Sequence, residues 1–145
     1  MVIKMDNIEF LNYIYQNAHM GIIGIEHIED NIVDDDLRKI ILKQKQEYDE
    51  IVKETLEIFK NYHKEEKDIS IMANIGSYMS AKFNLMKDNN TNVIAKMMIE
   101  GSNKGIIEIT EKLNNYHGDN KELCTLAKKL LRTEEYNLEE LKKFL

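Results

Sequence analysis

The chain has no proline anywhere in its 145 residues. Proline fixes φ and has no amide proton, so it punctuates loops and breaks helices. A chain without it, and with only six glycines, can carry helices almost from end to end. The apolar spacing agrees, because hydrophobic residues recur every three or four positions, the repeat of a helix with one buried face.

Start and stop signals divide the chain into four long amphipathic stretches and one shorter one. Asp6-Asn7-Ile8-Glu9 resembles a capping box and opens a first helix with the stripe Leu11, Ile14, Ala18, Gly21, Ile25, Ile28. Asp34-Asp35-Asp36 places negative charge at the positive end of a second helix dipole. The stripe of that helix is Leu37, Ile41, Gln44, Tyr48, Ile51, Thr55, Ile58, Tyr62. Asp68 can cap a shorter third helix bearing Met72, Ile75, Met79, Phe83 and Met86. Asn90 or Thr91 starts the fourth, with Ile94, Met98, Gly101, Gly105 and Ile109 in line. His117-Gly118 reads as a helix stop, and Asp119-Asn120-Lys121-Glu122 as the next start. The last stripe is Leu123, Ala127, Leu130, Glu134, Leu138, Leu141, Leu145.

Short links between the first and second helices, and between the last two, force each pair into an antiparallel hairpin. The shorter helix, about 18 residues and ~27 Å at the helical rise, would join the hairpins as a crossover. The expected fold is an all-α antiparallel four-helix bundle, one domain over residues 1–145.

Composition narrows the function. Hydrophobic residues at 43 % and charged residues at 32 % are a globular mixture. The formal charge of −6 carries no basic block, which argues against nucleic-acid binding, since that needs a positive field. With Cys124 as the lone cysteine, there is no intramolecular disulfide and no cysteine-based metal site. The absence of a signal-like start or a membrane-length apolar run predicts a cytoplasmic protein without membrane contact. No Gly-rich phosphate loop, nucleophile elbow or Cys–His pairing supports a hydrolase or transferase.

Polar residues interrupt the apolar stripes in four places: His19; Gln44, Glu47 and Tyr48; Glu100; and Glu134. In an antiparallel hairpin, residues equally far from the turn share a level. With the first turn near Ile32, His19 stands opposite position 45, bracketed by Gln44 and Glu47. With the last turn at His117-Gly118, Glu100 stands opposite position 135, beside Glu134. Both levels fall near mid-helix, where they can meet as one polar layer.

Two hairpins, a long crossover and mid-helix carboxylates resemble small Firmicute members of the ferritin-like superfamily, over nearly the whole chain. The resemblance implies a metal site at the waist, with iron or manganese held by His19, Glu47, Glu100 and Glu134. Metal-binding members place one Glu on each of two helices and a Glu-x-x-His motif on each of the others. This chain departs from that pattern. Glu50 stands where the second helix needs His, Asn137 where the last helix needs it, and His19 where the first helix needs Glu. Each candidate also has a plainer reading. His19 can be a half-buried ring, Glu100 can pair with Lys96 or Lys104, and Glu47 can face solvent beside Lys43. Two functions are therefore expected to compete: a cofactor-free, non-enzymatic bundle acting by association as a homodimer or adaptor, and an iron- or manganese-binding protein. The methionine-rich face of the crossover favours the first.

Overall fold

The computed structural model describes residues 6–62 and 90–145. Four helices form there: α1 (Asn7–Ile28), α2 (Asp35–Asn61), α3 (Thr91–Asn115) and α4 (Lys121–Leu141). Single 3-10 turns, Glu29–Asn31 and Lys142–Phe144, follow α1 and α4. The expected crossover helix, with Asp68 and Met72 through Met86, lies outside the described residues.

Each helix begins on an Asp or Asn whose side chain accepts a first-turn amide proton. Asp6 accepts from Glu9 at 2.7 Å, Asp34 from Leu37 at 2.9 Å, Asn90 from Asn92 at 2.9 Å and Asn120 from Leu123 at 3.2 Å. Such caps satisfy amides that the helix itself leaves without acceptors, at about 1 kcal/mol apiece.

The stripe of α2 is buried from Leu37 through Ile58, polar members included, and α4 buries Leu123, Ala127, Leu130, Glu134 and Leu141. α1 buries a broader face, adding Phe10, Tyr15 and Ile22 to the expected positions, of which Gly21 alone is half-buried, because it packs against all three other helices. α1 lies along α2, α3 along α4, α2 against α4 and α1 against α3. No helix among the described residues is long and apolar enough to cross a membrane.

One end of the bundle is tied by two tyrosines and two asparagines, one from each helix terminus. Asn7 Nδ2 donates to Tyr62 Oη at 3.1 Å, and Asn120 Nδ2 donates to the same oxygen at 2.8 Å. Tyr116 Oη donates to Asn7 Oδ1 and accepts from the Asn120 amide at 3.3 Å. The start of α1, the end of α2, the end of α3 and the start of α4 therefore meet there. It follows that both hairpins are antiparallel, and that Tyr62 and Asn90 lie at opposite ends of the bundle.

This clasp also explains a boundary. α3 stops at Asn115, ahead of Gly118, and Tyr116 turns to extended backbone. Its ring packs on Phe10 at 4.4 Å between centroids. Gly118 is needed for room rather than to stop the helix, since a Cβ there would fall 2.7 Å from Tyr116 Cε2.

Candidate functional site

Half-way along the bundle, polar side chains from all four helices replace core hydrocarbons. α2 supplies Gln44 and Tyr48, one turn apart on its buried stripe; α4 supplies Glu134 and Asn137; α1 supplies Asn17; α3 supplies Ser102. All are buried. Tyr48 Oη donates to Glu134 Oε1 at 3.1 Å and accepts from Gln44 Nε2 at 3.1 Å. The same Gln44 nitrogen reaches Ser102 Oγ at 3.5 Å. Asn17 Nδ2 donates to the backbone carbonyl of Gly105 at 3.1 Å.

Two glycines make the room. The Tyr48 ring lies so close to α1 that a Cβ at Gly21 would sit 2.5 Å from Cε2. The Glu134 carboxyl rests on α3 at Gly105, where a Cβ would fall 2.7 Å from Cδ. Helix backbones bare of side chains at these two points let the largest polar groups of the layer lie between the helices.

The electrostatics follow from that enclosure. Burial lifts the Glu134 carboxyl from 4.5 to about 8, with the charge of Glu108 adding to the rise and the Tyr48 hydroxyl opposing it. Desolvation disfavours the charged form, so the group is chiefly neutral at pH 7. Tyr48 is held well above its usual range by burial and by the neighbouring Glu134. Several buried polar atoms have no hydrogen-bond partner among the described residues: Glu134 Oε2, Gln44 Oε1, Asn17 Oδ1 and Asn137 Nδ2.

The four residues singled out from the sequence fare differently. Glu134 is at the centre of the layer. Glu47 is half-buried at its edge, with Oε1 unpartnered and its carboxyl raised by burial against the pull of Lys43. His19 is half-buried and stacks on Tyr15, ring centroids 5.3 Å apart. Glu100 is exposed. The expected level is thus observed, but on α1 and α3 it is other residues that face inward. His19 follows Asn17, and Glu100 precedes Ser102, by two positions, about 200° around a helix. The seven-residue line Val93, Glu100, Ile107 runs up the outer side of α3, and Ile107 is itself 53 % exposed. Among the described residues, no group of three or more His, Cys, Asp or Glu is placed to hold a metal ion.

Asn17, Ser102 and Asn137 were not singled out for this role from the sequence. A search for charges passes over amides and hydroxyls, whose small polarity hides in an apolar stripe. The signal that finds Ser102 is the four-residue step from Ile94 through Met98, which leads to Ser102 and not to Gly101.

Comparison of the chain with family models, with curated proteins and with solved structures finds no match.

Proposed function

We propose that this protein is a ferritin-like bundle that works by association, as a homodimer or adaptor, and does not catalyse a reaction. The observation that carries this reading is the hydrogen bond from Tyr48 to Glu134. The one fully buried carboxyl of the waist is engaged by a phenol and lies against Gly105, so it does not stand open with further carboxylates around a reactive ion. The antiparallel hairpins, with α2 and α3 ending at the same end of the bundle, support the ferritin-like arrangement. Association is supported by large apolar side chains left on the helices: Leu42 on α2, Ile107 on α3 and Tyr136 on α4 are 43 %, 53 % and 52 % exposed. Light scattering over a range of protein concentrations tests the reading. A dimer mass that falls on dilution is expected; a strict monomer at every concentration, with no partner in pull-downs, refutes it.

The second reading is an iron- or manganese-binding waist. The unpartnered Glu134 Oε2 favours it, because a buried carboxylate needs a proton, a partner or a metal. Within it, Glu134 would be joined by Glu47 as an oxygen ligand. Elemental analysis of untagged protein after reconstitution decides this, a stoichiometric ion supporting the reading and a trace amount ending it.

A further inference from the structure

The clasp and the helix contacts constrain the route of the chain between Tyr62 and Asn90. Those two residues lie at opposite ends of the bundle, separated by the length of α3, 25 residues or about 37 Å at the helical rise. α2 and α3 occupy diagonal corners, every other pair of helices being packed together. Residues 63–89 therefore pass along one of two sides of the bundle, beside α1 or beside α4.

The outward sides of these two helices differ in kind. On α4 the line Lys121, Thr125, Lys128, Arg132, Glu135, Glu139 faces away from the core, and every member is exposed. The matching line on α1, in the same steps of three and four, is Glu9, Tyr13, Gln16, Met20, Ile23, His27. Its two ends are exposed, but none of the four residues between them is. Gln16 is only 9 % exposed, although it stands two positions, about 200° around the helix, from both core residues Ile14 and Ala18. Lys112 of α3 lies over the Tyr13 ring, its Nζ 3.9 Å from the centroid. Helices packed against the core side of α1 leave its opposite side open, so further chain lies over Gln16. Between Glu9 and Glu26, α1 carries no Asp, Glu, Lys or Arg, whereas a solvated helix face is charged. The burial is complete within a single chain, so it needs no second copy.

We propose that the outward face of α1 is the docking surface for residues 63–89 of the same chain, with Met72, Ile75, Met79 and Phe83 set against Tyr13, Gln16, Met20 and Ile23. The apolar residues of that segment recur every three or four positions, the step of the α1 line. Methionine also adapts its shape to an uneven apolar surface. Both α1 and the segment start at the clasp and run away from it. Met79, a little over half-way along the segment, thus comes level with Met20, a little over half-way along α1. The methionine stripe is then used within the chain and is not offered to a second copy. The proposal does not rest on the association reading, whose Leu42, Ile107 and Tyr136 lie on the other three helices.

The test replaces Cys124 with Ser and introduces thiols into the full chain. A short bismaleimide should join Met20→Cys to Met79→Cys within one chain, and should leave Arg132→Cys, on the α4 line, unjoined to Met79→Cys. A preferred link from position 132, a link from position 20 made between two chains, or no link from either pair overturns the proposal. Single thiols give a second readout. Gln16→Cys should react with a maleimide at least about tenfold more slowly than Thr125→Cys, because it must wait for local opening. Adding Ile75→Asp and Met79→Asp, which place charge on the docked side of the segment, should bring the two rates together while the bundle still melts cooperatively. Slow labelling of Gln16→Cys that survives those charges overturns the proposal as well. Where the charges abolish the melt itself, the crosslinks decide.

Discussion

Gly101 and Gly105 lie one turn apart on α3, and the same substitution at each should move stability in opposite directions. Replacing a helical glycine with alanine gains about 1 kcal/mol by restricting the unfolded backbone and improving helix propensity. At Gly101 nothing lies within 4 Å of the new methyl, so Gly101→Ala should show most of that gain. At Gly105 the methyl would fall 2.7 Å from Cδ and Oε1 of Glu134. The carboxyl, buried and held by Tyr48, must retreat. Overpacking of this kind costs about 1–3 kcal/mol, and losing the Tyr48 hydrogen bond adds about 1 kcal/mol. After the helical gain is set against these, Gly105→Ala should be less stable than wild type by about 1–3 kcal/mol, a fall in Tm of several degrees. Urea and thermal melts of both variants read the difference directly. A third variant isolates the cause: with Glu134→Ala already in place the clash is gone, and Gly105→Ala should then stabilise. If Gly105→Ala matches or exceeds wild type, or stays destabilising beside Glu134→Ala, the carboxyl does not rest on that glycine and the account of the waist fails.

Two further outcomes follow from the same contacts. Glu134 has a carboxyl lifted from 4.5 when unfolded to about 8 when folded, so folding takes up a proton between those pH values. Its contribution is complete below pH 4.5, falls as pH rises at up to 1.36 kcal/mol per unit, and by pH 7 has lost about 3 kcal/mol. The stability of wild type relative to Glu134→Gln should decline through that window and level off above pH 8; parallel pH profiles would refute the neutral carboxyl. At the tied end of the bundle, Asn120→Ala removes both the cap on the Leu123 amide and the bond to Tyr62. The expected loss is about 2 kcal/mol, and faster exchange of the first α4 amides by hydrogen–deuterium measurement should accompany it.

The helices were legible because their signals are local. An N-cap such as Asp6 or Asp34 acts on an amide three residues away, and both are found where the sequence places them, whereas the last helix is capped by Asn120, one residue after the Asp119 that opens the expected capping box. The α2 stripe is buried as its spacing predicts, because α2 meets its neighbours through one narrow face. The level of the polar layer was also legible, since antiparallel geometry converts distance from a turn into height. Its membership was not. His19, Glu47 and Glu100 share the height of Glu134, but height says nothing of rotation. On α3 a heptad line and a core line diverge within two turns, since 3.6 does not divide 7 evenly.

The end clasp shows the same limit from another side. Asn7, Tyr62, Tyr116 and Asn120 are ordinary polar residues near helix ends, up to 109 residues apart in the chain. No local rule joins them; they meet only when both hairpins dock. The amino-acid sequence by itself determined where helices begin, which stripe of α2 is buried and how far along the bundle polarity interrupts the core, since backbone capping and helical period act over a few residues. Tertiary structure alone decided that Gly21 yields to Tyr48, that Gly105 yields to Glu134, and that Asn17 and Ser102 turn inward in place of His19 and Glu100. Those outcomes depend on how each helix is rotated about its axis, and that rotation is set by the packing of all four helices together.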